Sequence, residues 1–164
     1  MSYRIVRELS WAQACPRPDF IPKSRVRGKG SKAAGHRYEA AFAKQIPHAL
    51  HNPWYRYQDA AGAGWCSPDF VLPLGNWLVV FETKLGNFSE ALSQINELYI
   101  PVLHVAHGLP AGGIIVLKNL SPEIPRSFVT TSMSDAVARA SMGHTPVLHW
   151  LGHASLALFG SIEH

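Results

Sequence analysis

The chain has 164 residues, 47% of them hydrophobic, and a formal charge of +4. That length suits one domain with a proper core, and no apolar run approaches the roughly 18 residues of a membrane span. The opening MSYRIVRELS lacks the charged-then-apolar layout of a secretory signal, and Cys15 and Cys66 are too few for a stapled scaffold. The expectation is a cytoplasmic globular protein with reduced thiols and no membrane partner.

Residues 1–30 read as a basic, proline-rich arm ahead of a domain spanning 31–164, with its core at about 31–120 and a C-terminal extension over 121–164. Pro16, Pro18 and Pro22 break regular structure there, leaving room only for a short helix near Ile5 to Ala14. Through Lys32 the basic residues are Arg4, Arg7, Arg17, Lys23, Arg25, Arg27, Lys29 and Lys32, against Glu8 and Asp19 alone. The run KSRVRGKGSK alternates positive charge with Gly and Ser, a composition suited to gripping a phosphate backbone or to a solvated arm.

Ser31 can cap a helix in which Tyr38, Ala41, Phe42, Gln45 and Ile46 follow helical spacing up to Pro47. Glu39 falls beside Ile46 on that wheel, at the edge of the apolar stripe, where it is either a boundary residue or aimed along a sheet. Trp54 to Asp59 reads as a strand and Ala60 to Gly64 as a tight turn that lets another backbone approach.

The stretch SPDFVLPLGNWLVVFETKLG, from Ser67 to Gly86, carries the clearest signal. Two apolar runs, Phe70 to Leu74 and Trp77 to Phe81, flank Gly75-Asn76, a two-residue hairpin turn. Counting back from that turn sets Leu74 opposite Trp77 and Asp69 opposite Glu82, and Lys84 shares the face of Glu82. Two adjacent carboxylates repel unless a cation or a shared proton relieves them, and their oxygens suit a hard divalent ion. An ordinary surface hairpin is the competing reading. The second run, apolar on both faces, argues instead for a central strand with charges at its end.

Further on, Ser89 starts a helix through Ala91, Leu92, Ile95, Leu98 and Tyr99, ended by Pro101, with Gln94 able to reach a phosphate or base. Val102 to Ala106, Ile114 to Leu117, Ser127 to Thr131 and Pro146 to Leu151 read as strands. A helix capped by Ser132 or Ser134 runs to about Met142, stopped by Gly143. The apolar tail Leu156 to Ile162 needs a packing partner, which a second subunit would supply. His104 with His107, and His149 with His153, lack the spacing and companions of a metal set and read as structural or surface residues.

Pro68-Asp69 followed by Glu82-Thr83-Lys84 resembles the signature of the PD-(D/E)XK nuclease superfamily, with Glu39 as the extra helix-borne acid. Over about Arg25 to Leu117 the chain is most similar to archaeal-type Holliday junction resolvases. It shares Lys29-Gly30-Ser31, the small-residue turn Ala61 to Gly64, and a following helix with Gln94. The resemblance implies an α/β, restriction-endonuclease-like core, a central mixed sheet flanked by helices, in a homodimer. It implies magnesium-dependent hydrolysis of phosphodiester bonds in branched or four-way DNA, with manganese as a substitute. Asp69, Glu82 and the Thr83 carbonyl would hold the metal, Glu39 would assist, and Lys84 would act on the attacking water and the phosphate. Lys23, Arg25, Arg27, Lys29, Ser31, Lys32 and Gln94 would contact DNA. Two alternatives stay open: a nuclease of the same chemistry for linear, flap or site-specific duplex DNA, and a non-catalytic DNA-binding protein that retains the fold. Phage, bacterial and archaeal origins are all compatible.

Overall fold

A computed structural model describes residues 4–21, 30–153, 155 and 156. Its centre is a mixed six-stranded sheet in the order β2 (Leu50–His51), β5 (Phe70–Leu74), β6 (Trp77–Lys84), β7 (Ala111–Leu117), β9 (Val147–His149), β8 (Val129–Thr130). β2, β5 and β6 run antiparallel; β6, β7, β9 and β8 run parallel. A second, antiparallel sheet joins β1 (Trp11–Cys15), β3 (Trp54–Asp59) and β4 (Gly62–Cys66). The chain is thus mixed α/β, with helices on both faces of a central mixed sheet.

β6 is the middle of that arrangement because it is apolar in both directions. Leu78 and Val80 point into one core, with Ile115, Leu117, Leu98 and Leu103. Val79 and Phe81 point into the other, with Phe42 and Tyr38 of α1 (Ser31–Ala43) and Met133 of α4 (Met133–Ser141). The hairpin register is as counted: Leu74 pairs with Trp77 and Phe70 with Phe81, while Gly75 supplies the positive φ of 64° that the turn requires. Ser132 caps α4 by accepting from the Asp135 N–H at 3.2 Å, and Gly143 follows the helix at φ 86°.

Several expected elements take another form. The segment near Ile5 to Ala14 is not helical; residues 11–15 form β1, whose Ala12 is buried in the core, so the arm is part of the fold at least to Cys15. Ser31 is the first residue of α1 and not its cap, which is Gly30 with no side-chain hydrogen bond. Gly62 to Gly64 belong to β4, and the close approach there is by the Tyr57 ring, 2.4 Å from where a Gly64 Cβ would stand. The Ser127 to Thr131 strand shrinks to the two residues of β8, after a short 3₁₀ turn.

The largest difference lies at Pro101. Asn87, and not Ser89, caps α2 (Phe88–Gln94), and the helix passes through a π segment (Ile95–Tyr99) into α3 (Ile100–His107). Val102 to Ala106 is therefore helix. Proline lacks the N–H that would bond the carbonyl four residues back. The wider π turn, with the Ile100 N–H on the Ile95 carbonyl, adjoins the proline, and the Glu97 carbonyl accepts instead from the Val6 N–H at 3.0 Å. An apolar run this short does not distinguish buried strand from buried helix. His104 Nδ1 donates to the Leu109 carbonyl (2.9 Å) and His107 Nε2 meets the Tyr55 hydroxyl (2.8 Å). Of the apolar tail only Leu156 is described, packed on the α1 side; the rest lies outside the described residues. Among the described residues no helix is long and apolar enough to cross a membrane.

Gly112 and Gly113 of β7 let both helical layers close on the sheet. A Cβ at Gly112 would stand 2.7 Å from the Ala140 carbonyl oxygen, and one at Gly113 2.2 Å from Ile95 Cγ2. Gly113→Ala is expected to cost about 1–3 kcal/mol through overpacking, read as a lower urea midpoint at unchanged slope.

Candidate functional site

The hairpin register brings Asp69 and Glu82 together at the end of the β5–β6 pair, where β6 stops being apolar. Both are pinned by the backbone. Asp69 Oδ2 accepts from the Thr83 N–H and the Thr83 Oγ1–H, each at 2.8 Å, and Glu82 Oε2 accepts a long bond from the Asp69 N–H at 3.4 Å. Lys84, two residues along the same face, places its Nζ 3.9 Å from Glu82 Oε1 and 3.6 Å from Glu90 Oε1.

Glu39 arrives from α1. Its carboxyl is within hydrogen-bonding reach of Asp69, and its Oε2 meets His51 Nε2 at 3.1 Å. The His51 ring lies flat on Phe70, with centroids 4.6 Å apart and planes 10° from parallel, which fixes its orientation. Glu39 is thus held between His51 and the carboxylate pair.

Glu39, Asp69, Glu82, Thr83 and Lys84 line a cleft of about 570 Å³ where the start of α1, the end of β6 and the first turn of α2 meet. Ser31 and Lys32 stand on its α1 wall, with Glu39 deeper on the same helix. Asp69, Glu82, Thr83 and Lys84 form its floor, and Glu90 closes the α2 side. Gln94 does not line it. That residue is buried, with Oε1 unpartnered among the described residues, so the expected reach toward a phosphate is not available to it as placed. Lys23, Arg25, Arg27 and Lys29 lie outside the described residues.

The electrostatics follow from burying acids side by side. Burial pushes the Asp69 carboxyl up to about 8; the adjacent Glu39 adds to the rise, and the Thr83 hydrogen bonds pull back. Glu82 is also raised well above the carboxylate range, first by burial and then by Asp69, with Lys84 opposing. The Tyr99 hydroxyl nearby is raised by burial, with the Glu82 and Asp69 charges adding. Lys84 alone does not offset the carboxylates around it.

Among the described residues no group of three or more His, Cys, Asp or Glu side chains is placed to hold one metal ion. Asp69 and Glu82 instead make a two-carboxylate, oxygen-only set. That chemistry fits a hard divalent cation such as magnesium, which is typically bound through one or two carboxylates and keeps several waters. The raised proton affinity of both groups marks negative charge that such a cation relieves.

Comparison with protein-family models, with curated proteins and with solved structures found no match to this chain.

Two participants escape a reading of the sequence. Glu90 had a local signal: Asn87-Phe-Ser-Glu90 is a capping box, with the Glu90 N–H on Asn87 Oδ1 (3.2 Å) and Asn87 Nδ2 on Glu90 Oε2 (2.8 Å). His51 had none, because its contact with Glu39 exists only once β2 pairs with β5 beside α1.

A pH dependence follows. Unfolded Asp69 ionises near about 3.9, whereas the folded carboxyl holds its proton to about 8. The folded chain therefore binds the extra proton across that window, and stability falls as pH rises through it. In EDTA, the melting temperature of the native sequence should fall between about pH 5 and pH 8. Asp69→Asn should flatten that decline; equal pH slopes in calorimetry would contradict the assignment.

Proposed function

We propose that the protein is a metal-dependent nuclease of the PD-(D/E)XK type, with a restriction-endonuclease-like core, acting as a homodimer on branched or four-way DNA. The observation that carries the reading is the pairing of half-buried Asp69 with buried Glu82, Lys84 alongside, on the floor of an accessible cleft. The residues have the order and spacing of the signature, and the hairpin turn converts that spacing into proximity.

Asp69 and Glu82 would hold a magnesium ion, with manganese able to replace it, and the Thr83 carbonyl offers a further oxygen. When bound, the ion supplies Lewis acidity: it neutralises phosphate charge and makes water a stronger nucleophile near neutral pH. The remaining work falls to the chain. Thr83 clamps the Asp69 carboxylate in place through two donors. Lys84 presents a cation at the cleft floor, where charge develops on a phosphate under attack. Glu90 and Glu82 hold that ammonium from two sides. Glu39, steadied by His51, stands as the third acid and a proton acceptor for water beside Asp69.

DNA would approach from the α1 side. The N-terminus of α1 has no side-chain cap, and its Ser31 and Lys32 line the cleft, so uncapped N–H groups and a lysine stand at its edge, where a phosphate would be favoured. The basic run that ends in Lys32 adds phosphate contacts from Lys23, Arg25, Arg27 and Lys29.

Incubation with labelled four-way junctions, flaps and linear duplex tests the proposal. Magnesium should support cutting, EDTA should stop it, and Lys84→Ala should slow it by about 10²–10³-fold while junction binding persists. Symmetric nicks confined to the junction are expected. Equal cutting of linear duplex would contradict junction selectivity, and magnesium-independent or absent cutting would contradict the nuclease reading.

A further inference from the structure

The outward face of the small sheet is not used by the cleft chemistry, and its composition is unusual. Along β3 the residues alternate: Tyr55, Tyr57 and Asp59 are buried, while Trp54, Arg56 and Gln58 face away from the core. In β1 the outward residues include Trp11 and Gln13, and in β4 they are Ala63 and Trp65. Strand register arranges them in rows. Gln13, Arg56 and Trp65 lie across from one another, with Trp11, Gln58 and Ala63 in the next row. Three of the chain's five tryptophans thus share one sheet face.

The rings and charge on that face are ordered. The Arg56 guanidinium sits over the Trp65 ring at 5.4 Å from its centroid, and Phe20 meets the same ring edge-on at 5.2 Å. Phe20 is 69% exposed and Trp11 42%. No Asp or Glu is among the outward side chains of these three strands; Asp59 points inward and is held by Arg4 at 2.7 Å. Asp19 adjoins Phe20 and exposed Glu8 stands three residues before Trp11, against Arg4, Arg7, Arg17 and Arg56 in the same segments.

Aromatic side chains, exposed at Trp11 and Phe20 and half-buried at Trp54 and Trp65, interleaved with arginine and amide side chains match the chemistry of unpaired nucleobases. Bases stack on aromatic rings and on guanidinium planes, and glutamine amides bond base edges. We infer that this face is a stacking platform for single-stranded DNA. Charge complementarity and chain order favour that occupant over a protein. The chain leaves this face at Phe20, carries Lys23, Arg25, Arg27 and Lys29 in the following stretch, and reaches the cleft at Ser31 and Lys32. One strand of a branched substrate would lay its unpaired bases on the sheet and its duplex phosphates at the cleft. The inference rests on the nucleic-acid reading of the carboxylate site, and names unpaired bases as part of its substrate.

Binding in EDTA separates the two readings, since it needs neither metal nor cleavage. Fluorescence anisotropy of a short labelled oligo(dT), against a duplex of the same length, should show preference for the single strand, with quenching of tryptophan emission. Trp65→Ala and Trp11→Ala should each weaken oligo(dT) binding by about tenfold or more and leave duplex binding within about twofold. Trp65→Phe, which retains a ring, should recover most of the loss, and circular dichroism melts establish that each variant is folded. Equal oligo(dT) affinity in the native chain and in folded Trp65→Ala and Trp11→Ala variants would overturn the inference. So would a dimer that these substitutions dissociate, because the face would then belong to a second copy. Failure of cleavage with intact oligo(dT) binding would instead count against the nuclease reading alone.

Discussion

Two carboxylates crowded beside each other, with little access to water, are the constraint around which this molecule is arranged. Water would solvate and screen them at a surface; at the end of β6 Glu82 is buried and Asp69 half-buried, and desolvation raises the proton affinity of both. Such a pair survives in a fold only when the surroundings impose it. Here the imposition is the hairpin: β5 and β6 are locked in register by side chains that fill two cores, so the next pair along the ladder has no freedom to separate.

The remaining elements serve that position. Helix α1 crosses one face of the sheet and brings Glu39 and Lys32 to the cleft, anchored by Tyr38 and Phe42 in the core and by the Tyr38 hydroxyl on the Trp150 carbonyl at 2.7 Å. Helix α2 starts on the other side, and its Asn87–Glu90 capping box sets the carboxylate that meets Lys84. The glycine pair of β7 allows close packing of both layers against the neighbouring strand. The carboxylates thus sit two residues along β6 from its closest-packed stretch.

What was legible in the sequence was local and countable. Gly75-Asn76 fixes a turn, and from it the pairing of Leu74 with Trp77 and the proximity of Asp69 and Glu82 follow by arithmetic. Glu39 was visible as a boundary residue on a helical wheel. The misread parts depend on partners far away in the chain. β1 is a strand because β3 completes its hydrogen bonds, and WAQAC alone contains little β signal. Helix α3 continues past Pro101 because a π turn precedes it and Val6 takes up a freed carbonyl. His51 joins Glu39 only through tertiary packing. Gln94 is buried because its helix face turns toward the sheet.

On the proposed function, Asp69 and Glu82 together bind one hard divalent cation. Titration of Mn²⁺ followed by electron paramagnetic resonance tests it without any substrate, since the free-ion signal is lost on binding. The account predicts that the native chain depletes the signal by about one equivalent, that Mg²⁺ competes, and that Asp69→Asn abolishes the depletion. An undiminished Mn²⁺ signal with the native chain, or the same depletion with Asp69→Asn, would contradict it.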